Sequence, residues 1–332
     1  MKKRFSLMVS SIMMAGALSA CSGAEETSST ASSAGNSDFP KKPISIIVAY
    51  DAGGGTDTTA RTLQPFLEEE LGETVTIVNQ PGGSGWVGWN AIAAAKPDGY
   101  TIGFLNSPNL ASGLVNPTMK KQVDLDSFEM IGNHVVDPGA VAIRVDDKRF
   151  SNFKELVEYA KDHEVTTTAT GVAGDDHLVT LKLNEALGTK FKAIQFDGTA
   201  KSRAAFLGGH VDVLVTSVGE AYPMHLEKQL KVAAVTAEER SSFLPDVPTV
   251  EEEGFEPVIS QSTRGLVAPK GVDEETMEVL ETAFEKAVAN ADHEKKMEEI
   301  GTQVGYYNAG DYKALLEQDV KDIEGLKDLL GW

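Results

Sequence analysis

An α/β fold in two lobes, each a doubly wound, mainly parallel sheet with flanking helices, is predicted by three observations. Short β-rich apolar runs alternate with amphipathic helical patterns. Glycine-rich turns join those strands to the helices. The strand–glycine turn–helix unit runs in one series from Ile44 and in a second from Val141.

In the first series, "ISIIVAY" is nearly all apolar, the pattern of a strand buried on both faces. "TTARTLQPFLEEELG" spaces Ala60, Leu63, Leu67 and Leu71 by three and four residues, so it reads as an amphipathic helix closed by Gly72. Pro65 is expected to limit or kink its first turns. "TVTIVNQ" is a second strand, "PGGSG" a second glycine loop, "WVGWNAIAAAK" a second helix, and "PDGYTIGFL" a turn feeding a third strand.

In the second series, "VAIRV" is a strand and "SNFKELVEYAKD" a helix capped by Ser151 or Asn152. "VTTTATG" leads through a glycine turn into "VAGDDHLVTLKLNEALG", and "FKAIQF", "DGTAKSRAAFLGG", "VDVLVTSV" and "LKVAAVTA" continue the alternation. "EERSSFLPDVPTVEEEGFEP" is polar and is expected on the surface, and "RGLVAP" reads as a strand returning to the first lobe. "EETMEVLETAFEKAVAN" is a packing helix with Met277, Leu280, Phe284, Ala287 and Val288 on one face, and "DYKALLEQDVKDIEGLKDLLGW" closes the chain helically. The boundaries expected are residues 39–139 with 264–332 for one lobe and 140–263 for the other.

The chain has 332 residues, 41% of them hydrophobic, enough for a substantial core and more naturally two lobes than one. Thirty basic residues against 50 acidic give a formal net charge of −20. Such a surface repels nucleic acid and anionic headgroups, so no nucleic-acid partner is expected. "MKKRFSLMVSSIMMAGALSACSG" has a basic start, a short apolar stretch and small residues before Cys21, which is an export leader rather than a membrane span. Cys21 is the only cysteine, so no intramolecular disulfide can form. Leu18-Ser19-Ala20-Cys21 resembles a bacterial lipobox, the alternative being an ordinary leader with an incidental cysteine. Lipid on Cys21 would anchor the protein by burying methylenes at roughly 0.8 kcal/mol each. "SGAEETSSTASSAGNSD", within residues 22–38, is too polar to offset its ordering entropy and reads as a tether reaching on the order of 20 Å.

The glycine loops invite a nucleotide reading that their neighbours refuse. "AGGGTDTTAR" places Gly53, Gly54 and Gly55 before a helix, but no Lys-Ser or Lys-Thr follows and Asp57 stands close by. Gly83-Ser84-Gly85-Trp86-Val87-Gly88 matches GxGxxG, yet the next strand ends in "NSPNLA" with no carboxylate for a ribose. What remains is helix N-termini offering free N–H groups and partial positive charge, able to hold an anion without Lys or Arg. Two such loops facing a third across a cleft suit a small carboxylate. Asp57 either caps its helix or touches the ligand, and Tyr50 is either core edge or a lid. Of Trp86 and Trp89, Trp86 is the one assigned to the pocket. The histidines (His134, His163, His177, His210, His225, His293) are scattered, with no HExxH and no CxxC, and Ser84 lacks nucleophile-elbow spacing. His177, in a helix's first turn, reads as structural. No metal, cofactor or catalytic residue is expected.

"FPKKPISIIVAYDAGGGTDTTAR", "VNQPGGSGWVGWNAIAAAKPDGYTI", "GHVDVLVTSVGEA" and "RSSFLPDVPTVEEEGF", in this order, resemble the substrate-binding proteins of tripartite tricarboxylate transporters, the Bug or TctC-like family. The resemblance covers essentially the whole chain from Phe39. It implies a two-lobed, periplasmic-binding-protein-like Venus flytrap without enzymatic activity. Such a receptor captures a small organic acid and hands it to a permease of one large and one small integral membrane subunit. It implies ligand contacts at Tyr50, Gly53, Gly54, Gly55, Thr56, Asp57, Ser84, Gly85 and Trp86. In the second lobe it implies "TGVAGDDH" with Gly174, Asp175 and Asp176, "FDGTAKSR" with Gly198 and Thr199, and "TSVGE" with Ser217 and Glu220; Ser107, ending the third strand, is a further candidate. Many members carry a small hydroxyl residue at Asp175, a basic or neutral one at Asp197 and a small one at Trp86. If Asp175, Asp176 and Asp197 face the cleft they repel a second carboxylate, and if they cap helices the ligand is undisturbed. A monocarboxylate, or a ligand with a cationic end such as an amino acid, stays open beside di- and tricarboxylates. The expected state is a monomer, lipid-anchored outside the cytoplasmic membrane of a Gram-positive type of cell, or in a periplasm. The rivals are a receptor or sensor for another system, an exported enzyme, and a surface adhesin.

Overall fold

Every strand expected in the first series forms, and strands that the patterning left unread complete the sheet. The computed structural model describes residues 39–119 and 123–332. The leader, Cys21 and the tether lie outside the described residues. The first half begins with β1 (Ile44–Val48), α1 (Gly55–Leu71), β2 (Val75–Asn79), α2 (Trp86–Ala93), β3 (Thr101–Ser107) and α3 (Asn109–Val115). β1 pairs in parallel with β2, Ile44 opposite Val75, and with β3, Ser45 opposite Thr101. This right-handed β-α-β winding leaves the loops after β1, β2 and β3 at one edge of the sheet. α1 continues through Pro65, because the proline lies on the exposed face, where water satisfies the carbonyl it frees. Leu63 and Leu67 on the opposite face are buried, each stabilising the half by about 1.5–3 kcal/mol.

The second half follows the same plan. It contains α4 (Phe153–Asp162), β5 (Val165–Ala169), α5 (Asp175–Leu187), β6 (Phe191–Gln195), α6 (Thr199–Leu207), β7 (Val213–Ser217), α7 (Val218–Leu226) and β8 (Leu230–Thr236). Asn152 caps α4 by accepting from the Glu155 N–H. β5 is parallel to β6 and β7. The segment expected wholly on the surface after β8 is partly internal. Leu244, Val247 and Val250 are buried, since apolar residues recur among its charges and pack on the second half's core.

Between the halves run two long strands. β4 spans Phe128–Arg144, so "VAIRV" is its end and not a separate beginning; β9 spans Gln261–Pro269. They pair antiparallel from Phe128 opposite Pro269 to Pro138 opposite Gln261. Past Pro138, β4 pairs instead with β7 and β8, both antiparallel. The sheet order is therefore β2-β1-β3-β9-β4-β7-β5-β6: parallel at both ends and antiparallel at the centre. The chain ends with α8 (Glu274–Val288), α9 (Ala291–Glu299), β10 (Val304–Asn308, antiparallel to β4), α10 (Ala309–Gly325) and α11 (Lys327–Leu330), the last two in one apolar cluster with Ala111 and Val115 of the first half and Ala173 and Leu178 of the second.

Two of the scattered histidines meet in the first half's core. His134 on β4 and His293 on α9 are fully buried, with their Nε2 atoms 3.0 Å apart. The His293 Nδ1 sits 3.1 Å from the Val288 carbonyl, which assigns its proton there, so His134 Nε2–H donates to His293 Nε2. Burial, followed by the neighbouring His293 and Arg264, holds His134 well below the usual histidine range, and burial lowers His293. A histidine depressed in the folded state contributes stability above its unfolded pKa of 6.5 that is lost as acid protonates it. Replacing both, as His134→Leu with His293→Leu, is expected to shrink the loss of melting temperature between about pH 7 and pH 5. A pH series of thermal melts on the two chains checks it, and equal slopes would refute it.

Candidate functional site

The cleft is built where the loops ending β1, β3, β5 and β7 converge with β9. Its walls come from Tyr50 after β1, Gly54, Gly55 and Thr56 at the start of α1, and Asn106 and Asn109 around the end of β3. Thr170 after β5, Asp175 and Asp176 of α5, Thr199 of α6, Glu220 of α7, and Ser262 and Arg264 of β9 complete it. The cavity as it stands is narrow, about 30 Å³, room for a water or two, so a ligand enters only as the walls move apart.

Arg264 is the one arginine or lysine side chain in that lining. It is 3% exposed and its Nη2 pairs with Asp137 of β4 at 3.1 Å, with the Ser217 hydroxyl 3.3 Å away. Asp137 also accepts from the Gly219 N–H at 3.0 Å. Burial pushes the Asp137 carboxyl up, and Arg264 and these hydrogen bonds oppose it. The other terminal nitrogen, Arg264 Nη1, is buried without a partner, and so is the Tyr50 hydroxyl. Burial, then the charges of Asp175 and Asp176, push the Tyr50 phenol far up, so it stays a neutral O–H donor. Two unspent donors thus line one cavity.

Glu220 closes the cleft on its other side. Its Oε1 accepts from the Gly55 N–H at 2.8 Å and its Oε2 from the Thr216 hydroxyl at 2.5 Å. The positive N-terminus of α1, expected to hold a ligand anion, is therefore in contact with the chain's own carboxylate. Gly55 is required for this approach: a methyl group there would collide with the Glu220 carboxylate and the Arg264 guanidinium. Further contacts cross the same opening. Lys201 of α6 pairs with Asp51 at 3.0 Å, Arg203 donates to the Gly53 carbonyl, Asn109 Nδ2 donates to the Thr170 carbonyl at 2.8 Å, and Ser112 donates to the Ala173 carbonyl.

The structure gathers Tyr50, Gly54, Gly55, Thr56, Asp175, Asp176, Thr199 and Glu220 on the cavity, and places the other expected residues around it. Asp57 turns away: its carboxylate accepts from the Gly53 N–H at 2.8 Å, from Asn79 at 2.9 Å and from Arg61. It is a brace for the glycine loop. Gly53 carries the carbonyl that receives Arg203, and Gly85 lies against the Trp89 ring. Trp86 is buried, packed edge-to-face on Trp89 at 5.4 Å and against Gly113, so it serves the core. Ser84 abuts Gly171 across the opening. Ser107 is buried where β3 pairs with Thr263, and Ser217 lies behind the cavity beside Arg264. Gly174 precedes α5 against Asn109, and Gly198 sits near Asp51. Asp197 is exposed and 3.8 Å from Lys201, outside the lining. Neither Asp175 nor Asp176 is the cap of α5, whose N-cap is Gly174; both face the cavity. Arg264, Asn106, Asn109 and Ser262 were missed, and Thr170 was included only as the first residue of "TGVAGDDH". Arg264 alone carried a signal, as the sole charge in the otherwise uncharged run "QSTRGLVAP".

The three carboxylates make an unusual electrostatic setting. Burial, then the charge of Glu220, push Asp175 up to about 7 against the pull of Arg264. Burial, then Asp175 and Glu220, push Asp176 well up, although Thr170 donates to it at 3.0 Å.

Comparison with known proteins adds identity to this geometry. The family described as "Tripartite tricarboxylate transporter family receptor" matches residues 59–330. Protein BugT of Bordetella pertussis is 28% identical over 257 residues, covering 75% of this chain and 77% of the relative. The structure of the periplasmic binding protein BugD superposes with a TM-score of 0.81 at 30% identity, covering 88% of this chain and 99% of that one. MatC from Rhodopseudomonas palustris with bound malate gives a TM-score of 0.78 at 24% identity, covering 88% and all (100%) of the two chains, a likeness of fold.

Two outcomes are expected at this site. Asp57→Ala should cost about 1 kcal/mol in urea unfolding, because it removes the charged acceptor shared by Gly53, Asn79 and Arg61; an unchanged midpoint would refute the brace. Asp175 has its folded pKa raised to about 7, so its ionisation opposes folding as pH rises through that value, and full stability is present only below the unfolded pKa of 3.8. Asp175→Asn should therefore raise the melting temperature at and above neutral pH and lose that advantage in acid, as thermal melts across pH would show.

Proposed function

The chain belongs to the family of tripartite tricarboxylate transporter receptors, and on that premise we propose that it captures a small organic acid in the cleft between two lobes and delivers it to a two-subunit membrane permease. The observation that carries this reading is the pair of buried, unpartnered donors, Arg264 Nη1 and the Tyr50 hydroxyl, lining one small cavity. A guanidinium with a free edge is matched to a carboxylate, and a neutral phenol adds a second directed bond. The malate bound to MatC supports an organic-acid ligand by analogy of fold. The residues proposed to contact the ligand are Tyr50, Thr56, Asn106, Asn109, Asp175, Asp176, Thr199, Glu220 and Arg264.

Residues 39–139 and 264–332 form one lobe in this reading and 140–263 the other, joined by β4 and β9. Opening is a rotation about those strands near Asp137–Val141 and Gln261–Leu266. Ligand contacts from both lobes exist together only in the closed form, so binding shifts the population toward it, and the permease recognises that form. The leader exports the protein, Cys21 carries the lipid that holds it to the membrane, and it acts as a monomer without turning its ligand over. The acidic surface disfavours nucleic acid as a partner.

Thermal-shift and calorimetric titration against a panel of organic acids and amino acids tests the proposal. At least one member is expected to raise the melting temperature, and a panel without effect would overturn it. Arg264→Met alone should cost about 3–5 kcal/mol, because it leaves Asp137 as an uncompensated buried charge. Pairing it with Asp137→Asn keeps an acceptor for Gly219, so the double variant should fold and yet lose binding at least tenfold. Retained affinity in that variant would remove Arg264 from the site.

A further inference from the structure

The cavity that offers two donors to a carboxylate is otherwise acidic. Asp175 and Asp176 enter from α5 and Glu220 from α7, against the single guanidinium of Arg264. That guanidinium is already shared with Asp137 at 3.1 Å. Placing a second ligand carboxylate among three protein carboxylates, in a site with few water dipoles to screen them, is repulsive. Placing an ammonium there gives those carboxyls a counter-charge, since burial first, and then their neighbouring carboxylates, disfavour their ionised forms. The unpartnered Arg264 Nη1 and Tyr50 hydroxyl, 3% and 9% exposed as residues, point independently to a ligand in the same space. Among the described residues no three His, Cys, Asp or Glu side chains form a set able to hold a metal ion.

Resting on the receptor reading above, we propose that the ligand is a zwitterion: an ammonium group sits among Asp175, Asp176 and Glu220, a carboxylate sits on Arg264 and Tyr50, and organic acids that lack the ammonium are refused. The three carboxylates are arranged to discriminate by charge. Glu220 is held by Gly55 and Thr216, and Asp176 by Thr170, so both keep their orientation while a donor approaches their remaining lone pairs.

The groups facing Asp175 fix the pH dependence. They are Asp176 on its own helix, Glu220 on α7, Tyr50 after β1, and Arg264 on β9 with Asp137 behind it. His177 is turned the other way, accepting from the Ala173 N–H. An ammonium needs the ionised carboxylates, so zwitterion affinity should fall as pH is lowered through about 7, whereas an acid lacking an ammonium should gain affinity over the same interval.

The test is titration of the purified chain with pairs in which the ammonium-bearing group is replaced by a neutral hydroxyl or by a carboxylate. Alanine is set against lactate, aspartate against malate and γ-aminobutyrate against succinate, with the remaining protein amino acids alongside. A preference of tenfold or more for ammonium-bearing members, weakening in acid, is the expected result. Equal or stronger binding of lactate, malate or succinate overturns the zwitterion and leaves the receptor reading intact. Binding of no compound in either set overturns both. In Asp175→Asn with Asp176→Asn, the favoured zwitterion should bind at least tenfold more weakly while the melting temperature of the free chain holds or rises. Unchanged affinity in that variant, or in Asp175→Asn alone should the double variant not fold, also overturns it.

Discussion

The ion pair between Arg264 and Asp137 is the constraint on which the rest of the cleft depends. Its members sit on β9 and β4, the two strands that run between the halves of the sheet. A buried arginine without a counter-charge is not tolerated, so Asp137 is obliged to be there. The aspartate in turn fixes the start of α7 through the Gly219 N–H, and α7 presents Glu220 to Gly55. One pair thus ties together the crossing strands, the helix of the second half and the glycine loop of the first. It also leaves one guanidinium nitrogen of the cavity-lining Arg264 without a partner, so the group that organises the site keeps a donor to spend on a ligand.

Much of this fold was legible in the sequence because parallel α/β units advertise themselves twice. Apolar runs mark the strands, and glycine turns mark the strand-to-helix corners, as at "IIVAYDAGGG" and "TATGVAGDD". β4 was legible only at its end, since "FEMIGNHVVDPGA" mixes charge, histidine and proline within a strand whose polar groups are satisfied by tertiary partners. Asn133 donates to the Gly305 carbonyl of β10, and His134 to His293, contacts that no local pattern reveals. The same limit applied at the site. The loops were found from their glycines, but Arg264, Asn106 and Asn109 lie in strand ends and helix starts whose role is set by what folds against them. Trp86 misled because position in a loop does not say which way a ring points; the small Gly113 opposite it made the core the better destination.

The electrostatics of the pocket run against the expectation that the helix N-termini themselves do the binding. α1 offers its dipole to Glu220, and α5 spends its own on Asp175 and Asp176. The anion-holding property of the α1 loop is used inside the protein by Glu220, and the recognition proposed above falls to one arginine, one phenol and a set of carboxylates. Backbone N–H groups supply the same weak preference for any anion, whereas side chains of both signs demand a particular charge pattern. The change moves the cleft from general affinity toward discrimination.

The contact between Glu220 and Gly55 also bears on timing. A ligand group that uses the Gly55 N–H must wait for the fraction of molecules in which Glu220 has released it, and its apparent affinity is reduced by that fraction. The reduction falls alike on every ligand that uses this N–H, so it sets the concentration range of the receptor without altering its choice. It also works on departure. As such a ligand leaves, Glu220 is placed to retake the N–H, which slows immediate rebinding and favours unloading.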